Sequence, residues 1–166
     1  MIKYTFIKQC SSTQVMAHRR IHVMSPGIIY KYATHEQVSG QGTNGREWFS
    51  PVGGYYTSFS WLSAHWLQQD FSIILAKEIV DALNKSGVDA MIKYPNDIMI
   101  HQRKLAGIIV EQEQLGNDIA VVVGIGMNVD VDGFAEYPTT CLSFVSGITL
   151  VDVDQLIDQV IWAQID

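Results

Sequence analysis

With 166 residues, 48% of them hydrophobic and 17% charged, the chain is long enough to bury the core of one domain and too apolar for a disordered segment. Its net charge of −6 hides a split: all 11 lysines and arginines lie between Lys3 and Lys104, so residues 1–104 carry +4 and residues 105–166 carry −10. A general nucleic-acid binder, which needs a basic stripe, is disfavoured, whereas one basic pocket for a small anion is compatible with this distribution.

Residues 2–7 read as a short strand. Ser11 or Ser12 can cap a helix running to about Ile21, because a hydroxyl accepts a free N–H of the first turn. Ser25-Pro26-Gly27 reads as a turn, 28–34 as a β-branched and aromatic strand, and 37–51 as a glycine-rich polar loop. Residues 55–61 alternate aromatic with small polar side chains, the pattern of a second strand. The strongest helix covers 72–86, where Ala76, Ile79, Val80 and Leu83 keep the helical period and Gly87 can end it. Residues 91–93, 98–101, 105–112 and 119–125 read as strands, with turns at Asn96-Asp97 and Gly116-Asn117. A last helix covers 154–165, with Leu156, Ile157, Val160 and Ile161 on one face. Strands that follow one another after short turns predict an α+β fold: a mixed, largely antiparallel sheet with packed helices, in a single domain spanning 1–166. A doubly wound parallel sheet fits this order less well.

Cys10 and Cys141 are far apart and in no metal-type spacing, so neither a disulfide framework nor a zinc site is suggested. Lys3, Lys8 and Gln9 interrupt the apolar residues of the N-terminus, and no apolar run reaches about 18 residues. The expectation is a cytoplasmic protein with no membrane partner.

Three motifs mislead. Gly40-Gln-Gly42-Thr-Asn-Gly45 matches G-x-G-x-x-G, but Trp48-Phe49-Ser50-Pro51 follows where a dinucleotide site needs a helix. Asn128-Val-Asp130-Val-Asp132-Gly133 imitates the start of a calcium loop, yet Thr139 stands where the bidentate glutamate belongs. His18 and His22 lie four apart on the first expected helix, but Arg19 replaces the glutamate of a metalloprotease pattern. Two exposed surface histidines are the expectation there.

Five features carry chemistry. Ser11-Ser12-Thr13 at a helix start is either a cap or a set of spare hydroxyls for a neutral polar ligand group. The loop from Gln37 to Trp48 has three glycines that let backbone N–H groups approach a ligand, Arg46 as a forked cation for phosphate, and Trp48 as an apolar cover. Twelve residues with an arginine and a tryptophan are long for a mere connection. In Lys93-Tyr94-Pro95-Asn96-Asp97 a hairpin corner accounts for Pro-Asn-Asp but not for the lysine in an apolar strand. In Arg103-Lys104-Leu105-Ala106-Gly107-Ile108-Ile109, a strand-interior glycine marks close approach, and Lys104 is a cation at a cleft rim or simply a solvated strand end. Gly124-Ile-Gly126-Met-Asn128 ends an apolar strand with two glycines and a side-chain amide.

Together these segments resemble the catalytic domain of biotin protein ligases, the biotin–[carboxylase] ligases. The Ser-Thr start, the Gln37 loop ending Gly-Arg-x-Trp-x-Ser-Pro, Lys-Tyr-Pro-Asn-Asp, Arg-Lys-Leu-Ala-Gly-Ile and Gly-x-Gly-x-Asn occur in that family's order, and Thr140–Gly147 resembles its later Ser-Leu segment. The resemblance covers roughly residues 8–147. It implies the class II synthetase-like catalytic fold and a two-step reaction. Biotin is joined to ATP as biotinyl-5′-adenylate, and biotin then passes to a lysine of the carrier domain of a biotin-dependent carboxylase. Magnesium would accompany ATP, with its protein ligands unassigned, and no prosthetic group or DNA partner is implied. By the same resemblance Lys104 and Arg46 are catalytic. Ser12, Thr13, Gln37, Gly40, Lys104 and Gly107 would bind biotin; Arg46, Trp48, Lys93, Asn96, Asp97 and Asn128 would bind ATP. Fixed cations suit this chemistry, because carboxylate attack on the α-phosphate brings two anions together.

Three departures from the family pattern stand out. The loop usually reads Gly-Arg-Gly-Arg, but here it is Gly40-Gln41-Gly42-Thr43, which removes two cations. No DNA-binding helix-turn-helix is expected before Ser11, and no small β-barrel after the last helix. Two other readings stay open: a lipoate or octanoate ligase or transferase of related fold, and a non-catalytic paralogue that binds biotin or nucleotide without turnover.

Overall fold

The structure, a computed structural model, describes residues 1–131 and 138–165. Its strands are β1 (Ile2–Cys10), β2 (Ile29–Gln37), β3 (Tyr55–Ser63), β4 (Ala90–Lys93), β5 (Asp97–Ile100), β6 (Arg103–Leu115) and β7 (Asp118–Met127). Its helices are α1 (Thr13–His18), α2 (Phe71–Lys85) and α3 (Leu150–Trp162). The strands form one sheet in the order β1-β2-β3-β7-β6-β5-β4. Only β1 and β2 run parallel; the other neighbours are antiparallel. The expected mixed, largely antiparallel α+β fold is therefore present.

Side-chain alternation along β7 shows how the two faces differ. Ile119, Val121, Val123, Ile125 and Met127 enter the main core, which also holds the apolar faces of α2 and α3. On the opposite face, Ala120 and Val122 pack with Ala17 and Ile21 beneath α1. Gly124 and Gly126 continue that second face without side chains, so the sheet floor is bare beside the start of α1. A register shift between Ile98 and Met99 adds one residue to β6. Leu105 and Ala106 both enter the main core. Lys104 and Gly107 are thereby left on the bare face.

Several expectations need correction. The first helix is only Thr13–His18, followed by a separate 3₁₀ turn at Ile21–Val23. Ser12 holds the cap position, but its hydroxyl makes no cap bond. His18 is not a free surface histidine: its Nε2 lies 2.6 Å from Glu111 Oε2. Residues 37–51 form an ordered arm rather than an open loop. Gln37 N–H donates to the Ser50 carbonyl, Trp48 N–H to Gly40, and Gly42 N–H to Arg46, around a 3₁₀ tip at Thr43–Gly45. Asp97 starts β5 instead of sitting in the turn. α3 begins four residues early because Thr149 and Asp152 form a capping box.

The acidic tail is not merely solvated. Asp154 and Asp158 of α3 receive Lys31 Nζ at 2.7 and 2.6 Å, beneath the sheet, where Lys31 is buried. Burial pushes the Asp158 carboxyl up against the opposing pull of Lys31. The calcium-like motif falls partly outside the described residues, at Asp132 and Gly133.

Candidate active site

The bare end of the sheet becomes a cleft because three elements wall it. The first is the start of α1, with Ser12, Thr13 and Gln14. The second is the 37–51 arm, which brings Gln37, Gln41, Thr43 and Trp48. The third is the β5–β6 side, with Asn96, Lys104 and Gly107. Gly107 and Gly126 pair directly across β6 and β7. A Cβ on Gly126 would stand 2.7 Å from the Trp48 indole, and one on Gly107 3.1 Å from it. The tryptophan therefore lies flat on a glycine floor that no larger residue would permit.

Lys104 sits at the inner wall, 12% exposed, with Nζ 2.6 Å from Asp97 Oδ1 and 5.1 Å from the Trp48 ring centre. Its backbone is clamped on the other side: Lys104 N–H donates to Pro138 O, and Thr140 N–H donates to Lys104 O. A cation fixed at both backbone and side chain needs little reorganisation to meet an anion. Asn96 spends one amide N–H on the fold: its Nδ2 donates to Ile108 O at 2.9 Å and ties the turn to β6.

The opposite wall is a hydrogen-bonded chain. Gln37 Oε1 accepts the Thr13 backbone N–H at 2.9 Å, while its Nε2 donates to Ser50 Oγ at 2.8 Å. Thr13 Oγ1 lies 2.9 Å from Ser58 Oγ, and Ser58 donates to Gln14 Oε1 at 3.0 Å. Gln14 Nε2 donates to Glu111 Oε2 at 2.6 Å. Tyr56, also on the wall, donates its hydroxyl to Pro51 O, and burial pushes its phenol well up, so it stays protonated. Among the described residues, Ser12 Oγ and Trp48 Nε1 are buried in the cleft without a protein partner. Such atoms are rare in folded proteins.

Of the residues singled out in the sequence, Ser12, Thr13, Gln37, Trp48, Asn96, Lys104 and Gly107 meet in this cleft. Asp97 stands behind Lys104 as its counter-ion. Arg46 and Gly40 instead face a wider outer groove. Arg46 is exposed and turned onto its own arm, with Nε and Nη2 reaching Thr43 O and Oγ1 at 3.3 and 3.2 Å. Lys93 is exposed at the end of β4. Asn128 is buried, its amide donating to Thr140 O at 3.2 Å, so it braces the segment clamping Lys104. The sequence reading missed Gln14, Tyr56, Ser58 and Glu111. Ser58 had a visible signal, as a small polar residue recurring on one face of an apolar strand.

Among the described residues no group of three or more histidine, cysteine or acidic side chains could hold a metal, and no helix is long and apolar enough to cross a membrane. Magnesium on a nucleotide needs no such cage: phosphates and waters supply most ligands, with one or two carboxylates. Asp97, the carboxylate beside Lys104, is already engaged as its counter-ion.

The likeness to known proteins is consistent with this cleft. BirA of Escherichia coli K12, a bifunctional ligase/repressor, is 37% identical over 102 residues, covering 56% of this chain and 30% of its own. The biotin–[acetyl-CoA-carboxylase] ligase of Paracoccus denitrificans is 36% identical over 104 residues, covering 57% of this chain and 42% of its own. The chain thus spans less than half the length of each of these two relatives. The Aquifex aeolicus biotin protein ligase, solved with biotin and ATP, superposes with a TM-score of 0.70 at 26% identity, over 95% of this chain and 69% of that one. The Leishmania major enzyme, solved with biotinyl-5-AMP, shares the fold at a TM-score of 0.74 and 20% identity, over 95% and 72% of the two chains. Residues 8–128 match the model of the biotin/lipoate A/B protein ligases, and the chain belongs to that family.

Proposed function

We propose that this chain activates biotin with ATP and transfers it to a lysine of a carboxylase carrier domain. The observation that carries this reading is Lys104: a cation braced by Asp97 at the inner wall of a cleft whose far wall is a chain of hydrogen bonds. A carboxylate oxygen of biotin attacks the α-phosphorus, the bond to pyrophosphate breaks, and Lys104 neutralises the charge gathered there. Magnesium arriving with ATP, its protein ligands unassigned, would screen the same charge. Trp48 on its glycine floor covers the nucleotide side, with Nε1 available to donate. Ser12, Thr13 and Gln37 hold the polar ring of biotin.

In the second step the amine of the carrier lysine attacks the acyl carbon, AMP leaves, and the amine loses its extra proton. No enzyme nucleophile takes part, because the adenylate is already an activated acyl donor; positioning of the lysine supplies much of the rate. The polar far wall, the Paracoccus denitrificans relative and the Aquifex aeolicus structure solved with biotin and ATP support biotin over a lipoyl or octanoyl chain. Mixing the protein with ATP, labelled biotin and a carboxyl-carrier domain tests the reading. Label should appear on the carrier lysine and depend on ATP. Octanoate-dependent pyrophosphate release without biotin-dependent release would favour the lipoate-type alternative.

A further inference from the structure

We infer that Glu111, held by His18, is a positioning residue that makes the biotin pocket demand a hydrogen-bond donor. The inference rests on the biotin reading and adds Glu111, His18, Gln14 and Ser58 to it. It follows from counting protons along the far wall.

Glu111 Oε2 lies 2.6 Å from Gln14 Nε2 and 2.6 Å from His18 Nε2. With two nitrogens converging on one oxygen, the carboxylate acts as acceptor, and Gln14 must turn its NH2 outward. Its carbonyl oxygen then points inward to Ser58. At the other end, Gln37 Oε1 is fixed as an acceptor by the Thr13 backbone N–H. Between these two amide oxygens lie three oxygen–oxygen contacts: Gln14 to Ser58 at 3.0 Å, Ser58 to Thr13 at 2.9 Å and Thr13 to Gln37 at 3.2 Å. Only two hydroxyl protons are available to fill them. One contact is always a proton short, on a cleft wall where Gln14, Ser58 and Thr13 are buried and Gln37 is half-buried. A ligand N–H, such as those of a cyclic urea, supplies the missing donor. Were Gln14 flipped, its NH2 would donate to Ser58, all three contacts would be filled, and the wall would no longer favour a donor. Glu111 prevents that flip from the cleft rim, without touching the ligand.

Glu111→Gln can offer its own NH2 to Gln14 and so permits the flip. Titration calorimetry should show biotin affinity falling roughly tenfold, the worth of one hydrogen bond. The thermal midpoint and the KM for ATP should hold, which a merely structural role would not predict. Gln14→Leu also removes the shortage, leaving two contacts for two protons. Biotin affinity should fall similarly there, and Glu111→Gln should then add nothing. If the wild type binds biotin but Glu111→Gln binds it equally well, or if its loss persists in full beside Gln14→Leu, the role of Glu111 is overturned and the ligase reading stands. If the wild type does not bind biotin, both fall.

Discussion

Gly126→Ala probes the floor of the cleft. The backbone at Gly126 is ordinary strand, so alanine is tolerated there and only the new methyl matters. That methyl would stand 2.7 Å from Cε2 and Nε1 of Trp48, whereas ordinary contact begins at 3.4 Å, so the indole must retreat by about 0.7 Å. It cannot sink, because Gly107 and the strand beneath it occupy the other side of the floor. Overpacking of this size costs about 1–3 kcal/mol. If Trp48 covers the nucleotide, the KM for ATP should rise on the order of 5- to 150-fold, with a much smaller change for biotin. The assay is initial-rate pyrophosphate release with each substrate varied in turn. In a Trp48→Phe background the smaller ring can yield, and the added effect of Gly126→Ala should shrink. Equal effects on both substrates, or the same penalty with and without the indole, would refute the placement of Trp48.

Restoring cations to the arm tests the loss at Gln41 and Thr43. The Gln41→Arg/Thr43→Arg variant should retain biotinyl-adenylate at least about tenfold longer, given the worth of a charge-assisted hydrogen bond; dissociation at the wild-type rate would contradict this. Thr149→Ala removes the α3 cap and should lower Tm by about 2–4 °C. The Thr149 hydroxyl and then its backbone N–H hold the Asp152 carboxyl below the ordinary carboxylate range. That contribution is present above the unfolded value and lost as pH falls through the lowered one, so Asp152→Asn should flatten acid unfolding in that window. Lys31→Ala leaves Asp154 and Asp158 facing each other without their cation. The two carboxylates are partly solvated, so the expected loss is about 1–3 kcal/mol by urea unfolding, below that of a fully buried pair.

The order of elements and the kind of sheet were legible because α2 and β7 carry strong periodic signals. Boundaries set by tertiary contacts were not. β1 extends to Cys10 only because it has β2 to pair with. The β5–β6 turn uses His101 and Gln102 at positive φ, with none of the Asn-Gly chemistry that announces such turns. In the site, Lys104, Trp48, Gln37 and the glycines were legible as residue types that need a reason to be there. Gln14, Ser58 and Glu111 were not, since each is an ordinary polar residue whose meaning lies in partners up to 97 positions away. Arg46 and Lys93 carry the charge expected of phosphate ligands but point away from the inner wall. A charge in sequence does not specify which side of an arm it occupies.

Biotin-dependent pyrophosphate release by the wild type and by Lys104→Ala bears most directly on the proposed chemistry. The wild type should release pyrophosphate only with both ATP and biotin, and Lys104→Ala should lower the rate about 10²- to 10³-fold. No biotin-dependent release from the folded wild-type protein, or undiminished release from Lys104→Ala, would contradict it.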